Sequence, residues 1–269
     1  MKPSVHPVSS QNASPTSTGR TRIPLYTSTV LYWTSLYLYL PILAPYAEHQ
    51  GATLKVVGLV ISAYGLAQLL FRLPLGILSD RVGQRKPFMI LGFLAACAAA
   101  LGFIIAPTPW FMVGARFFSG VSACAWVAFT VLFASYFPPH ETTKAMGSLS
   151  FCNSISIMVA TYIGGLLADT YGWLAPFWAA LAVGLLGFVT IPWIYEQPDG
   201  RHSTQSSWQR LRSVVRHRDL LNVSGIATLG QFTFYATTFG FVPTYAVSIG
   251  ATKTQLGILV LLATLLQSP

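Results

Sequence analysis

Charged residues are scarce in this sequence. Asp, Glu, Lys and Arg together make up 9% of 269 residues, where a soluble domain carries about 25%. That is too little charge to cover a surface facing water. Cysteine is scarce too, with three in the chain, which excludes a disulfide scaffold. Acidic residues number seven against sixteen basic ones. Phosphate-binding glycine loops, nucleophile elbows and histidine pairs at metal-ligand spacing are missing, so neither an ATP-driven pump nor a serine hydrolase is suggested, and no cofactor or metal is expected. What is abundant is apolar: 53% hydrophobic residues. Disorder is excluded on that ground. So is a nucleic-acid-binding reading of the pI near 9.7. The composition is that of an all-α, polytopic membrane protein.

A spanning helix needs about 20 apolar residues. Seven such stretches run 25–47, 56–78, 88–106, 110–135, 145–168, 174–195 and 220–247, and a partial one runs from 255 to the end. Residues 1–24, rich in Ser, Thr and Pro, are expected to be disordered. The basic stretch 196–219 is expected to be a linker. This gives four regions: a tail (1–24), a six-helix bundle (25–195), the linker (196–219), and helix 7 with part of helix 8 (220–269).

With the N-terminus in the cytoplasm, twelve basic residues lie inside: Lys2, Arg20, Arg22, Arg81, Arg85, Lys86, Lys144, Arg201, Arg210, Arg212, Arg216 and Arg218. Lys55 and Lys253 lie outside. This asymmetry favours a cytoplasmic N-terminus in a plasma (inner) membrane. It opposes a seven-helix receptor, whose N-terminus would lie outside.

The chain also repeats itself at an offset of 199. Tyr46, Ala47, Gly51, Ala52, Thr53 and Gly58 match Tyr245, Ala246, Gly250, Ala251, Thr252 and Gly257. Parallel repeats of six-helix halves are a known transporter architecture. On this reading the sequence stops midway through the second helix of the second half, and a truncated chain is expected. Residues 1–269 alone are then expected to insert without concentrative transport.

The second stretch ends in GILSDRVGQRK. Gly76 would let a neighbouring helix approach closely. Gly83 would permit the tight turn. Asp80 would pair with Arg81 or Arg85, or sit at a helix N-terminus. The basic residues Arg81, Arg85 and Lys86 would hold the loop at an anionic leaflet. This Gly-x-Leu-x-Asp-Arg-x-Gly-x-Arg-Lys text resembles the loop 2–3 signature of the major facilitator superfamily. Arg116 and Gly120 resemble that family's helix 4 Arg-x-x-x-Gly pattern, and GGLLADTYGW is similar to its text between helices 5 and 6. The resemblance covers residues 25–269. It implies two six-helix bundles around a midplane cavity and alternating access between them. The complete chain would then be a secondary transporter in contact with the bilayer, carrying a small-molecule substrate with protons as a candidate coupling ion.

Within that frame the resemblance implies candidate cavity or coupling residues: Arg116, Trp33 and Tyr37 (i, i+4 on helix 1), Trp126 and Thr130 (helix 4), Asn153 (helix 5), and Gln231 and Tyr235 (helix 7). Packing between helices is expected to use Gly120, Gly164 and Gly165. In the family's antiporter signature a Pro stands where this chain has Thr161, which removes a helix kink and leaves antiport open. Arg72, near the inner end of helix 2, is expected to snorkel or brace the gate. The resemblance implies efflux first, and an aromatic, uncharged cavity with one Arg suits amphipathic or aromatic solutes. An uptake permease for a sugar or organic acid and a non-transporting fragment are the alternatives.

Overall fold

The computed structural model describes residues 19–196 and 218–267. Among these the secondary structure is helical, with no strand. The elements are α1 (Gly19–Tyr37), α2 (Leu40–His49), α3 (Leu54–Val82), α4 (Lys86–Ile104), α5 (Pro109–Cys124), α6 (Trp126–Ser135), α7 (Thr142–Tyr171) and α8 (Ala175–Thr190). After the undescribed 197–217 come α9 (Arg218–Tyr235), a π turn (Ala236–Phe241), α10 (Val242–Ser248) and α11 (Lys253–Gln267). Residues 1–18 and most of the expected linker thus lie outside the described residues.

Among the described residues, five helical spans are long and apolar enough to cross a membrane: Leu54–Val82, Lys86–Ile104, Pro109–Ser135, Thr142–Tyr171 and Ala175–Trp193. The stretch expected at 25–47 is two helices. Pro41, near the start of α2, has no N–H to continue the ladder of α1, and the chain breaks at Leu38–Tyr39. The stretch 220–247 is interrupted by the π turn. The 110–135 stretch changes course at Ala125, whose N–H bonds the Ser122 carbonyl at 2.8 Å. Helix begins at Gly19, within the tail expected to lack structure. Arg22 ties it down, donating to the Tyr136 carbonyl at 3.1 Å and lying 4.0 Å over the Phe137 ring.

Helices α1–α8 form one bundle. Its centre is aromatic: Tyr32, Tyr39, Phe93, Phe103, Phe129 and Phe177 are all fully buried. Tyr32 donates its hydroxyl to the Ser122 carbonyl, and Tyr39 donates to Ser119 Oγ at 3.1 Å. Both of these buried tyrosine hydroxyls therefore have a partner, as an apolar interior favours.

Small residues set the helix crossings. A Cβ on Gly120 would strike the Tyr64 carbonyl and lie 2.7 Å from Ala67 Cβ, so α5 lies against α3. Gly164 faces the Leu38 backbone at the α1–α2 break, and Gly165 faces Lys253 and Gly257 of α11. The two neighbouring glycines thus serve different partners. Gly76 has only an ordinary contact, 3.9 Å to Val127, so the expected close approach there is corrected. The close approach of α3 to α5 lies instead at Gly120, against Tyr64 and Ala67, about three helical turns along α3 from Gly76. Helix α7 runs unbroken through Thr161, as the missing Pro predicts.

The internal repeat has a geometric counterpart. Gly51 and Gly250 both take positive φ, 85° and 92°, a conformation that costs glycine little. After each, the following alanine bonds back to an alanine, Ala52 to Ala47 and Ala251 to Ala246, both at 2.9 Å. The turn between α2 and α3 is built again between α10 and α11.

Candidate functional site

Two ends of the bundle can be told apart by their acidic residues, Asp80 at one and Asp169 at the other. At the Asp80 end, Gly83 closes α3 with φ 69°. Asp80 pairs with Arg85 at 2.9 Å, and the same Arg85 donates to Ser79 Oγ at 2.6 Å. Of the two partners expected for Asp80, the structure selects Arg85. Glu196, which follows the last turn of the bundle, caps the start of α4. It accepts from the Arg85 N–H and from the Lys86 N–H, the latter at 3.1 Å. Nothing in the spacing of residues 76–86 pointed to that distant carboxylate. A carboxylate at a helix N-terminus is favoured by the unpaired amides and by the helix dipole.

Midway along the bundle, the expected aromatic residues meet. The Trp33 ring lies 5.0 Å from Trp126 and 5.6 Å from Tyr37. The Tyr37 hydroxyl lies 2.9 Å from that of Tyr235, joining α1 to α9. Tyr235 stacks on Tyr64 at 6.0 Å, and Phe239 sits edge-on to Tyr37 at 6.1 Å. Tyr64, absent from the sequence-based set, is thus central. Its distance in sequence from Arg116 hid it.

Arg116 is 1% exposed. Its guanidinium lies 4.3 Å over the Tyr64 ring, a cation–π contact. Its Nε has no hydrogen-bond partner among the described residues. The ion pair found among them is Arg85–Asp80, and Arg116 has none. Among the described residues the buried charge faces the Tyr64 ring rather than a carboxylate. Trp33 Nε1 and Asn153 Oδ1 are also buried without partners among the described residues.

The other candidates are less concentrated. Thr130 is spent on its own helix, donating to the Val127 carbonyl at 2.9 Å. Gln231 is exposed, away from the aromatic group. Arg72 is exposed and donates to Gln68 Oε1 at 3.2 Å. Partial burial raises the Glu48 carboxyl above its ordinary value. Cys97, Cys124 and Cys152 are free thiols.

The contacts between α1–α8 and the trailing helices are uneven. Along α9, Leu221, Val223, Ile226, Leu229 and Phe232 are all exposed. Beyond Tyr235 the chain turns inward: Thr238, Phe239, Pro243 and Ala246 are buried. Helix α9 therefore stands apart from the bundle towards the Asp80 end, whereas the π turn, α10 and α11 pack against it.

Apolar helices of spanning length, crossed at glycines and carrying a buried guanidinium, define a polytopic helical membrane protein. The sequence pattern of the Major Facilitator Superfamily matches residues 25–269, and the chain belongs to that superfamily. It is similar to inner membrane transport protein YajR of Escherichia coli, with 29% identity over 160 residues, covering 59% of this chain and 35% of the relative. It is also similar to an uncharacterized MFS-type transporter, MJ1560, of Methanocaldococcus jannaschii: 24% over 250 residues, 85% of this chain and 60% of the relative. Quinolone resistance protein NorA of Staphylococcus aureus is 27% identical over 188 residues, 70% of this chain and 47% of the relative. The matches thus span between about a third and three fifths of the length of these relatives.

Proposed function

We propose that this chain forms part of the pathway of a secondary transporter that exports small amphipathic or aromatic solutes by alternating access. The observation that carries the reading is the Tyr37–Tyr235 hydroxyl contact, with the exposed face of α9 on one side of it. Contacts closed at one end and open at the other are what an inward-facing state requires. The count of basic residues supports placing the N-terminus and the Asp80 end in the cytoplasm of a cell whose plasma membrane holds the protein. Trp33, Tyr37, Trp126 and Tyr235 supply flat apolar faces, and Arg116 supplies one fixed positive charge. That lining suits a solute with an aromatic body better than a highly charged one. A quinolone resistance protein among the relatives supports the outward direction. Protons are the coupling ion in this reading.

The test uses the complete reading frame that carries this chain, expressed in cells loaded with a fluorescent aromatic dye. Asp80→Asn is expected to slow dye efflux at least about tenfold, because the neutral amide no longer holds Arg85 by charge. Membrane levels should stay near wild type. Unchanged efflux at matched protein level removes the Asp80–Arg85 pair from the transport cycle. Dye retention equal to that of cells without the protein, in the unsubstituted chain, removes the export reading.

A further inference from the structure

The Asp169 end carries a contact that none of the sequence motifs absorbed. Asp169 lies at the end of α7, in the bundle. Its Oδ1 accepts from the Lys253 N–H at 3.0 Å, and its Oδ2 accepts from the Thr254 N–H at 2.6 Å and from the Thr254 hydroxyl. These are the first amides of α11, in the trailing helices. Lys253 strengthens the junction without pairing with the carboxylate. Its Nζ donates to the Ala168 carbonyl at 3.1 Å and lies 4.0 Å over the Trp173 ring.

Three observations separate this contact from ordinary capping. First, α11 already has a local cap. Thr252 Oγ1 accepts from the Gln255 N–H at 3.2 Å, and Gln255 Oε1 accepts from the Thr252 N–H at 2.8 Å, a reciprocal capping box. Second, the matching turn before α3 forms with no side-chain cap at Thr53, so the turn itself needs no carboxylate from elsewhere. Third, Asp169 is exposed, whereas the glycine contact just beneath it, Gly165 against Gly257, is tight. Water can therefore take over the bonds of the carboxylate when they part, so their net worth is well below their strength in an apolar medium. A contact made of few, wet, charge-assisted bonds above a smooth glycine surface can release and re-form.

We propose that Asp169 is the latch between the two sets of helices. Its carboxylate holds the N-terminus of α11 and keeps this end shut, and its release sets how often the end opens. The proposal rests on the alternating-access reading. It names the residue on which the closed state at this end depends.

The experiment uses the complete chain in membrane vesicles, with Cys97, Cys124 and Cys152 replaced by serine. Val260→Cys, at a fully buried position of α11, reports opening through its rate of labelling by a membrane-impermeant maleimide added on the Asp169 side. Lys55→Cys, which is always exposed, is the accessibility control. Asp169→Ala is expected to raise Val260→Cys labelling about tenfold, the factor that loss of a helix cap supplies, with Lys55→Cys labelling unchanged. Asp169→Asn keeps one accepting oxygen and should fall between, which guards against a folding defect in the alanine variant. In a separate arm, Trp173→Cys and Lys253→Cys are bridged by a short bismaleimide, with Asp169 intact, before the reporter thiol is probed by a mass-tagged label. Slower labelling when bridged, with no effect of Asp169→Ala, overturns the latch and leaves a moving end. Labelling that bridging does not change overturns the alternating-access reading, and the latch with it.

Discussion

Gly164→Val is expected to leave no detectable folded protein. A Cβ at this position would fall on the Leu38 carbonyl and lie 2.7 Å from its carbonyl carbon. Those atoms belong to the backbone where α1 gives way to α2, and Leu38 and Tyr39 are buried on every side. No side chain can swing aside to make room. Overpacking a core against side chains costs about 1–3 kcal/mol, and a clash with buried backbone costs more. Against a total stability of about 5–15 kcal/mol, that is enough to unfold the bundle. Size-exclusion chromatography of detergent extracts should show loss of the monodisperse peak. A monodisperse, normally melting Gly164→Val protein would mean that α7 and α1 can separate freely. The neighbouring Gly165→Val is expected to behave differently. Its Cβ meets Lys253 and Gly257 of α11, so the bundle should still fold while α11 loses its seat.

Arg116→Leu is expected to keep the fold and lose transport. A charge at the centre of a membrane helix costs about 2.5–3.5 kcal/mol on insertion scales. Leucine removes that cost, so the variant should melt no lower than wild type. Efflux of an aromatic dye from cells carrying the complete reading frame should drop at least about tenfold, since the one buried cation facing Tyr64 is gone. Arg116→Lys should not restore it, because a compact ammonium cannot spread over a ring as a planar guanidinium does. Wild-type efflux by Arg116→Leu would reduce this residue to packing.

Much of the architecture could be read from residue order. Apolar runs of about 20 residues mark spans because the bilayer thickness fixes their length. The GAT repeat marked a turn that is built twice, since positive φ at glycine is a local requirement. The pairing of Asp80 with Arg85 lies within six residues and was among the three options the spacing allowed. What was not legible depends on where helices cross. Gly76 and Gly120 look alike in sequence, yet only Gly120 meets a backbone, because α3 and α5 touch at that level. Tyr64, Glu196 and Asp169 act on residues far along the chain, and no periodicity reports such partners. The capping box Thr252–Gln255 was readable as text and marks the start of α11. It gave no sign that a second carboxylate would reach the same helix end.

The π turn at Ala236–Phe241 bears on how this protein tolerates change. An α-helix advances about 100° per residue, and a π turn takes up one residue more than an α turn. The side chains after Phe241 are therefore rotated by about one residue step relative to those before Ala236. That rotation falls between α9, exposed on every side over residues 221–233, and α10, in which Pro243 and Ala246 are buried. Chain length in this short window, rather than the identity of any one side chain, sets which side of α10 is turned inward. A lineage could substitute Thr237, which is exposed, with little consequence. Losing a single codon from the same window would swing Tyr245, Ala246 and the whole α10–α11 corner by nearly a third of a turn.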